Sequence, residues 1–90
     1  AVISMTHAFA KECAAMKVRV NAILPGATDT KFASALTTND AILKMVMAHT
    51  PMNRVADPSE MAGAALYLAS DAASYTTGTC LNVDGGYLLA

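Results

Sequence analysis

Ninety residues suffice for at most one small domain, and 54% of them are hydrophobic against 14% charged. A domain of this size buries only about 60–65% of its unfolded surface, so the apolar excess predicts faces meant to be covered by further chain or by partner subunits. Six Lys and Arg against seven Asp and Glu, scattered singly for a net charge of −1, form no basic stripe for nucleic acid or for an anionic membrane.

No apolar run approaches the ~18 residues that span a bilayer. The opening "AVISMTHAFAKECAAM" has neither an initiator methionine nor a basic n-region, so a signal peptide is not expected. Cys13 and Cys80 are far apart and lack metal-ligand spacing. They are expected as buried small hydrophobes in a reducing compartment, and the expected location is the cytoplasm.

In chain order, alanine content and the spacing of Val2, Met5, Phe9, Cys13 and Met16 predict a helix over residues 1–15, with no capping residue at its start. "VRVNAIL", Val18 to Leu24, reads as a strand closed by Pro25-Gly26. Thr30 to Leu36 can hold a short helical turn. Thr37, Thr38 or Asn39 can cap a helix through His49, and Pro51 stops it. The next helix is the clearest: Asp57 caps, Pro58 takes the first position and Glu60 completes a capping box. Met61, Ala65, Leu66, Leu68 and Ala69 are expected on its buried side, up to Ser70. A polar turn, Asp71 to Gly78, leads to a second strand, Thr79 to Val83, ended by Asp84-Gly85-Gly86.

The order helix, strand, two helices, strand describes a right-handed parallel crossover, the unit of a doubly wound α/β sheet. Two parallel strands are too few for an independent sheet, so the segment is expected to be part of a larger fold.

Three signals then coincide. Arg19-Val20-Asn21 precedes Pro25-Gly26, with Thr30 four residues later. Pro51-x-x-Arg54 runs to Pro58-x-Glu60 at a helix start. Thr77-Gly78 stands six residues before Asp84-Gly85-Gly86. Over essentially all ninety residues the chain resembles the C-terminal part of the short-chain dehydrogenase/reductase family, NAD(P)-dependent enzymes on one Rossmann-type domain. The resemblance implies that residues 1–90 are an incomplete portion of such a domain. The family's glycine-rich phosphate turn and its catalytic Tyr-x-x-x-Lys are not among these residues. By alignment, Lys is expected two residues before Ala1 and Tyr four before that Lys.

The strand-end turn is the candidate site. In open α/β sheets, ligands lie beyond the carboxyl ends of the strands. Pro25 ends the strand, and Gly26 is read as letting the backbone approach a flat ring without a Cβ in the way. The resemblance implies that the backbone at Thr28 meets the nicotinamide carboxamide of NAD or NADP and that the side chain of Thr30 bonds the carboxamide or the pyrophosphate. Thr28 departs from the family's usual Val or Ile, a change that a backbone contact survives. Phe32, Leu36, Ile42, Met45, Val46 and Met47 would belong to a substrate lid, and the first helix and the "YLLA" tail to assembly surfaces. Ser4 and His7 read as a solvent-facing pair, because no nucleophile turn surrounds the serine. His7, His49, Cys13 and Cys80 have no ligand spacing, so no metal site is expected.

The expected function is that of an oxidoreductase interconverting a secondary alcohol and a ketone by hydride transfer, with the upstream tyrosine as acid and base. It would act on a small-molecule substrate and assemble as a homodimer or tetramer, with no nucleic-acid or membrane partner. These ninety residues alone are expected to be inactive. The alternative is a non-catalytic binding or assembly protein on the same fold. A related epimerase or dehydratase is disfavoured by the Asp-Gly-Gly pattern.

Overall fold

The computed structural model describes residues 1–30 and 38–89. The chain falls into two compact units, Ala1–Leu24 with Gly63–Asn82 and Pro25–Ala62 with Val83–Ala90. The turn expected after Thr30, the lid residues Phe32 and Leu36, and Thr37 lie outside the described residues.

Helix α1 covers Val2–Cys13 and continues as a 3-10 turn, Ala14–Met16. No side chain caps its start. Lys17, at φ 61°, ends it with its amide on the Ala14 carbonyl. Its buried positions are Thr6 and Ala10, while Val2 is 66% exposed and Phe9 49%. The apolar stripe read from the sequence is real as a pattern and uncovered in space.

Helix α3, Ala62–Ala69, is entered through a 3-10 turn, Pro58–Met61. The capping box is present: Asp57 Oδ1 accepts from the Ser59 amide and Glu60 Oε1 from the Asp57 amide, both at 2.9 Å. The expected buried side needs correction. Met61 and Leu68 are half-buried, but Ala65 and Ala69 are exposed and Leu66 is 71% exposed. Cys13 and Cys80 are likewise half-buried rather than buried.

The first strand is shorter than Val18–Leu24. Strand β1 is Ala22–Pro25, because side chains satisfy the preceding residues. Arg19 donates to the carbonyls of Leu68 (2.7 Å), Ser70 (3.3 Å) and Thr76 (3.4 Å). Asn21 donates to the Thr76 carbonyl and accepts from the Thr79 amide, and the Val20 amide donates to the Thr77 hydroxyl. These contacts fix the Arg-Val-Asn stretch before the ladder starts.

Strand β2, Cys80–Val83, pairs with β1. The Ala22 amide donates to Thr79 and the Gly26 amide to Val83, advancing four residues along both strands together, so the pair is parallel. Helix α2 is Asp40–Ala48. Asn39 is its cap, the Oδ1 accepting from the amides of Ala41 and Ile42. Ile42, Leu43, Val46 and Met47 are half-buried and Met45 is exposed. Among the described residues no helix is long and apolar enough to cross a membrane.

Candidate functional site

The chain leaves β1 at Pro25, and Gly26 is the first residue beyond it. The Gly26 amide donates to the Val83 carbonyl at 3.0 Å, which ties the turn to the end of β2. A single parallel bridge, Thr28 with Ala56, holds the next residues. It is made by the Ala56 amide on the Ala27 carbonyl and the Asp29 amide on the Ala56 carbonyl, each at 2.9 Å. Such a bridge turns the amide of the intervening residue to the opposite side. The Thr28 amide therefore points away from Ala56, with no acceptor among the described residues. The Thr28 hydroxyl donates to the Gly26 carbonyl at 2.9 Å, folding the side chain onto its own turn. The Thr28 carbonyl accepts from the Thr30 amide at 3.0 Å.

Pro25, Gly26, Thr28 and Thr30 are thus brought into one tight turn, half-buried apart from exposed Pro25. Chemically the turn offers a backbone donor at Thr28 on the side away from the bridge. An unpaired, half-buried amide costs free energy unless something accepts from it, which suits a carbonyl or phosphate oxygen of a ligand.

Gly26 is glycine for a reason different from the one read in the sequence. A Cβ there would stand 2.7 Å from the Asp84 Cα and 2.9 Å from its Cβ. The missing side chain makes room for the chain leaving β2. A gap of about 120 Å³ adjoins this contact, lined by Gly26, Thr50, Met52 and Asp84 among others. Ligand pockets are typically about 300–1,000 Å³, so this gap is a packing seam and not a binding cavity.

The sequence marked Arg54 only as a family signal and Glu60 as such a signal and as part of the capping box. In the structure their side chains form a two-pronged ion pair, Nη1 to Oε1 at 2.6 Å and Nη2 to Oε2 at 2.7 Å. The Arg54 hydrogen bond, helped by the Asp57 amide, holds the Glu60 carboxyl down at about 2. Glu60 in turn raises the Arg54 guanidinium further. The Ser59 hydroxyl, followed by its amide, lowers Asp57. The six-residue spacing was the legible signal; the pairing needed the fold.

The remaining polar candidates do not converge. Ser4 and His7 are exposed on α1, and the His7 Nε2 lies 3.9 Å from the Cys80 Sγ. Among the described residues no three His, Cys, Asp or Glu gather as metal ligands.

Residues 1–88 match the family model described as enoyl-(acyl carrier protein) reductase. A short-chain type dehydrogenase/reductase from Mycobacterium ulcerans superposes with a TM-score of 0.94 at 38% identity, over 98% of this chain and 32% of that one. The chain belongs to the short-chain dehydrogenase/reductase family. Its fold is accordingly an α/β segment of the Rossmann type. The galactitol 2-dehydrogenase (L-tagatose-forming) of Cereibacter sphaeroides is 47% identical over 97% of this chain and 34% of its own length. An Agrobacterium tumefaciens protein solved with bound NADP has a TM-score of 0.96 and 40% identity, over 99% of this chain and 36% of that one. The chain thus spans about a third of the length of the short-chain dehydrogenase/reductase relatives it matches.

Proposed function

We propose that these ninety residues form the C-terminal third of one dinucleotide-binding domain. The longer protein would be an NAD(P)-dependent oxidoreductase interconverting a secondary alcohol and a ketone. When bound, the nicotinamide cofactor supplies or takes up the hydride. This chain supplies its anchor: the Thr28 amide holds the carboxamide, the Thr30 side chain holds the carboxamide or the pyrophosphate, and Pro25 and Gly26 set where that edge begins. The supporting observation is the Thr28 amide, turned away from the bridge with no acceptor among the described residues. The NADP-bound neighbour and the galactitol dehydrogenase supply the cofactor and substrate class by similarity.

The segment from Lys31 to His49 serves as substrate lid in this reading. Its apolar residues, Val46 and Met47 among them, favour a substrate with an apolar portion, and methionine adapts its shape to such a surface. The exposed α1 stripe and the Leu88-Leu89 end are surfaces for the rest of the domain and for subunit assembly.

The test is cofactor titration in the full-length protein, followed by nicotinamide fluorescence. Thr30→Val keeps the side-chain shape and removes one hydroxyl, so affinity for NADH or NADPH should fall roughly two- to twelvefold, the worth of one neutral hydrogen bond. Thr28→Val should do far less, because its hydroxyl is spent on the Gly26 carbonyl and the expected contact is made by the backbone. A reversed order of effects would overturn the assignment of the turn.

A further inference from the structure

The residue packed against Gly26 is Asp84, which lies outside the Pro25–Thr30 turn. The chain leaving β2 doubles back at once, with Gly85 at φ 63° and Gly86 at φ 89°. The Asp84 side chain closes this turn, its Oδ1 accepting from the Gly86 amide at 3.0 Å. Asp84 is at the same time the residue whose Cα and Cβ lie against Gly26, where no further atom fits. A rotation at Asp84 therefore either presses on Gly26 or opens a gap beside it.

The Asp84 turn also grips the chain that follows α2. The Gly85 carbonyl accepts from the Met52 amide at 3.0 Å. A Cβ on Gly85 would meet Thr50 Cγ2 at 3.0 Å, and one on Gly86 would meet Pro51 Cγ at 3.0 Å. One aspartate-closed turn is thus packed against the Pro25–Thr28 turn and against Thr50–Met52.

We propose that Asp84 is a positioning residue for the nicotinamide end of the cofactor. By holding the Gly86 amide it fixes the backbone of residues 84–86. That backbone fixes Gly26, and through Gly26 the direction of the Thr28 amide. The carboxylate acts through its geometry as an acceptor and not through its charge. This inference rests on the reading of the Pro25–Thr30 turn as the cofactor anchor.

The experiment compares NADH with ADP-ribose, which lacks the nicotinamide, as ligands of the full-length protein. Asp84→Ala should weaken NADH binding roughly two- to twelvefold, the effect of losing one hydrogen bond that holds the turn in register. ADP-ribose affinity should stay unchanged, which a general loss of folding would not allow. Asp84→Asn keeps the acceptor at the same distance and should restore NADH affinity. Asp84→Glu keeps the charge but moves the acceptor out by one methylene, and should behave as Ala does. This pair decides the matter even if Asp84→Ala fails to fold. Equal NADH affinity in all variants overturns the proposal, as does a loss in Asn that is absent in Glu, because charge would then be the agent. If the unmodified protein binds ADP-ribose but gains nothing from the nicotinamide, the anchor reading itself falls. That outcome is distinct from the variants simply matching the unmodified protein.

Discussion

The two ends of α3 are each held by an arginine, and the two arginines work by different physics. Beyond the last turn, Arg19 spreads its guanidinium over the neutral carbonyls of Leu68, Ser70 and Thr76 in a part-buried setting. The Leu68 and Ser70 carbonyls stand at the helix end, where the aligned peptide dipoles leave partial negative charge and unpaired acceptors, while Thr76 lies beyond it. Before the first turn, Arg54 pairs with the exposed carboxylate of Glu60, which already accepts from the Asp57 amide. The first arrangement gives the Leu68 carbonyl its donor and adds a second donor to those of Ser70 and Thr76. The second adds a charge pair to a cap that is already complete, in contact with water that would solvate either partner. Hydrogen bonds from the two arginines therefore carry unequal weight.

Arg19→Ala should have the largest effect. It leaves the Leu68 carbonyl without its donor, takes one of two donors from the carbonyls of Ser70 and Thr76, and loosens the approach of residues 19–21 to residues 76–79. The expected loss is about 2–4 kcal/mol, read as a lower denaturation midpoint in the full-length protein. A loss no larger than that of an exposed pair would show that water replaces the guanidinium freely.

Arg19→Lys should fall between. Lysine keeps the charge but not the planar fork, so one ammonium cannot serve three carbonyls set apart in this way. About half the alanine effect is expected, on the order of 1–2 kcal/mol by the same unfolding measurement. A lysine variant equal to the native protein would mean that charge at the helix end suffices.

The smallest effect belongs to Glu60→Gln, and its signature is pH dependence. The folded-state value is about 2 against an ordinary 4.5, so the pair's contribution is fully present above 4.5 and fades as the pH falls toward 2. The native protein and the glutamine variant should differ slightly at neutral pH and converge over that window. Arg19→Ala should show no such convergence, because carbonyls do not titrate there and arginine stays charged. Parallel acid-unfolding curves of the native protein and the variants decide it. If the Glu60→Gln difference persists unchanged at pH 2, the ion pair is not its source.

Features that depend on neighbours in the chain were legible from the residues alone. The Asp57-Pro58-x-Glu60 box, the stop at Pro51 and the turn after Pro25 are all local and stand where the pattern placed them, and Asn39 takes the cap for which the pattern offered Thr37, Thr38 or Asn39. The order of elements and the family motifs followed from those pieces, so the fold class and the position of the candidate turn were legible. The pattern misjudged burial, because amphipathic spacing says which face wants cover and not whether cover is at hand. Leu66 and Phe9 stand on expected faces and are exposed. The identity of particular residues is explained by contacts made across the fold. Gly26 is glycine because of Asp84, fifty-eight positions later; Arg19 and Asn21 act on groups 49 to 58 residues away. Contacts at that separation depend on how the strands pair and how the chain returns, and no local preference of the residues themselves encodes that.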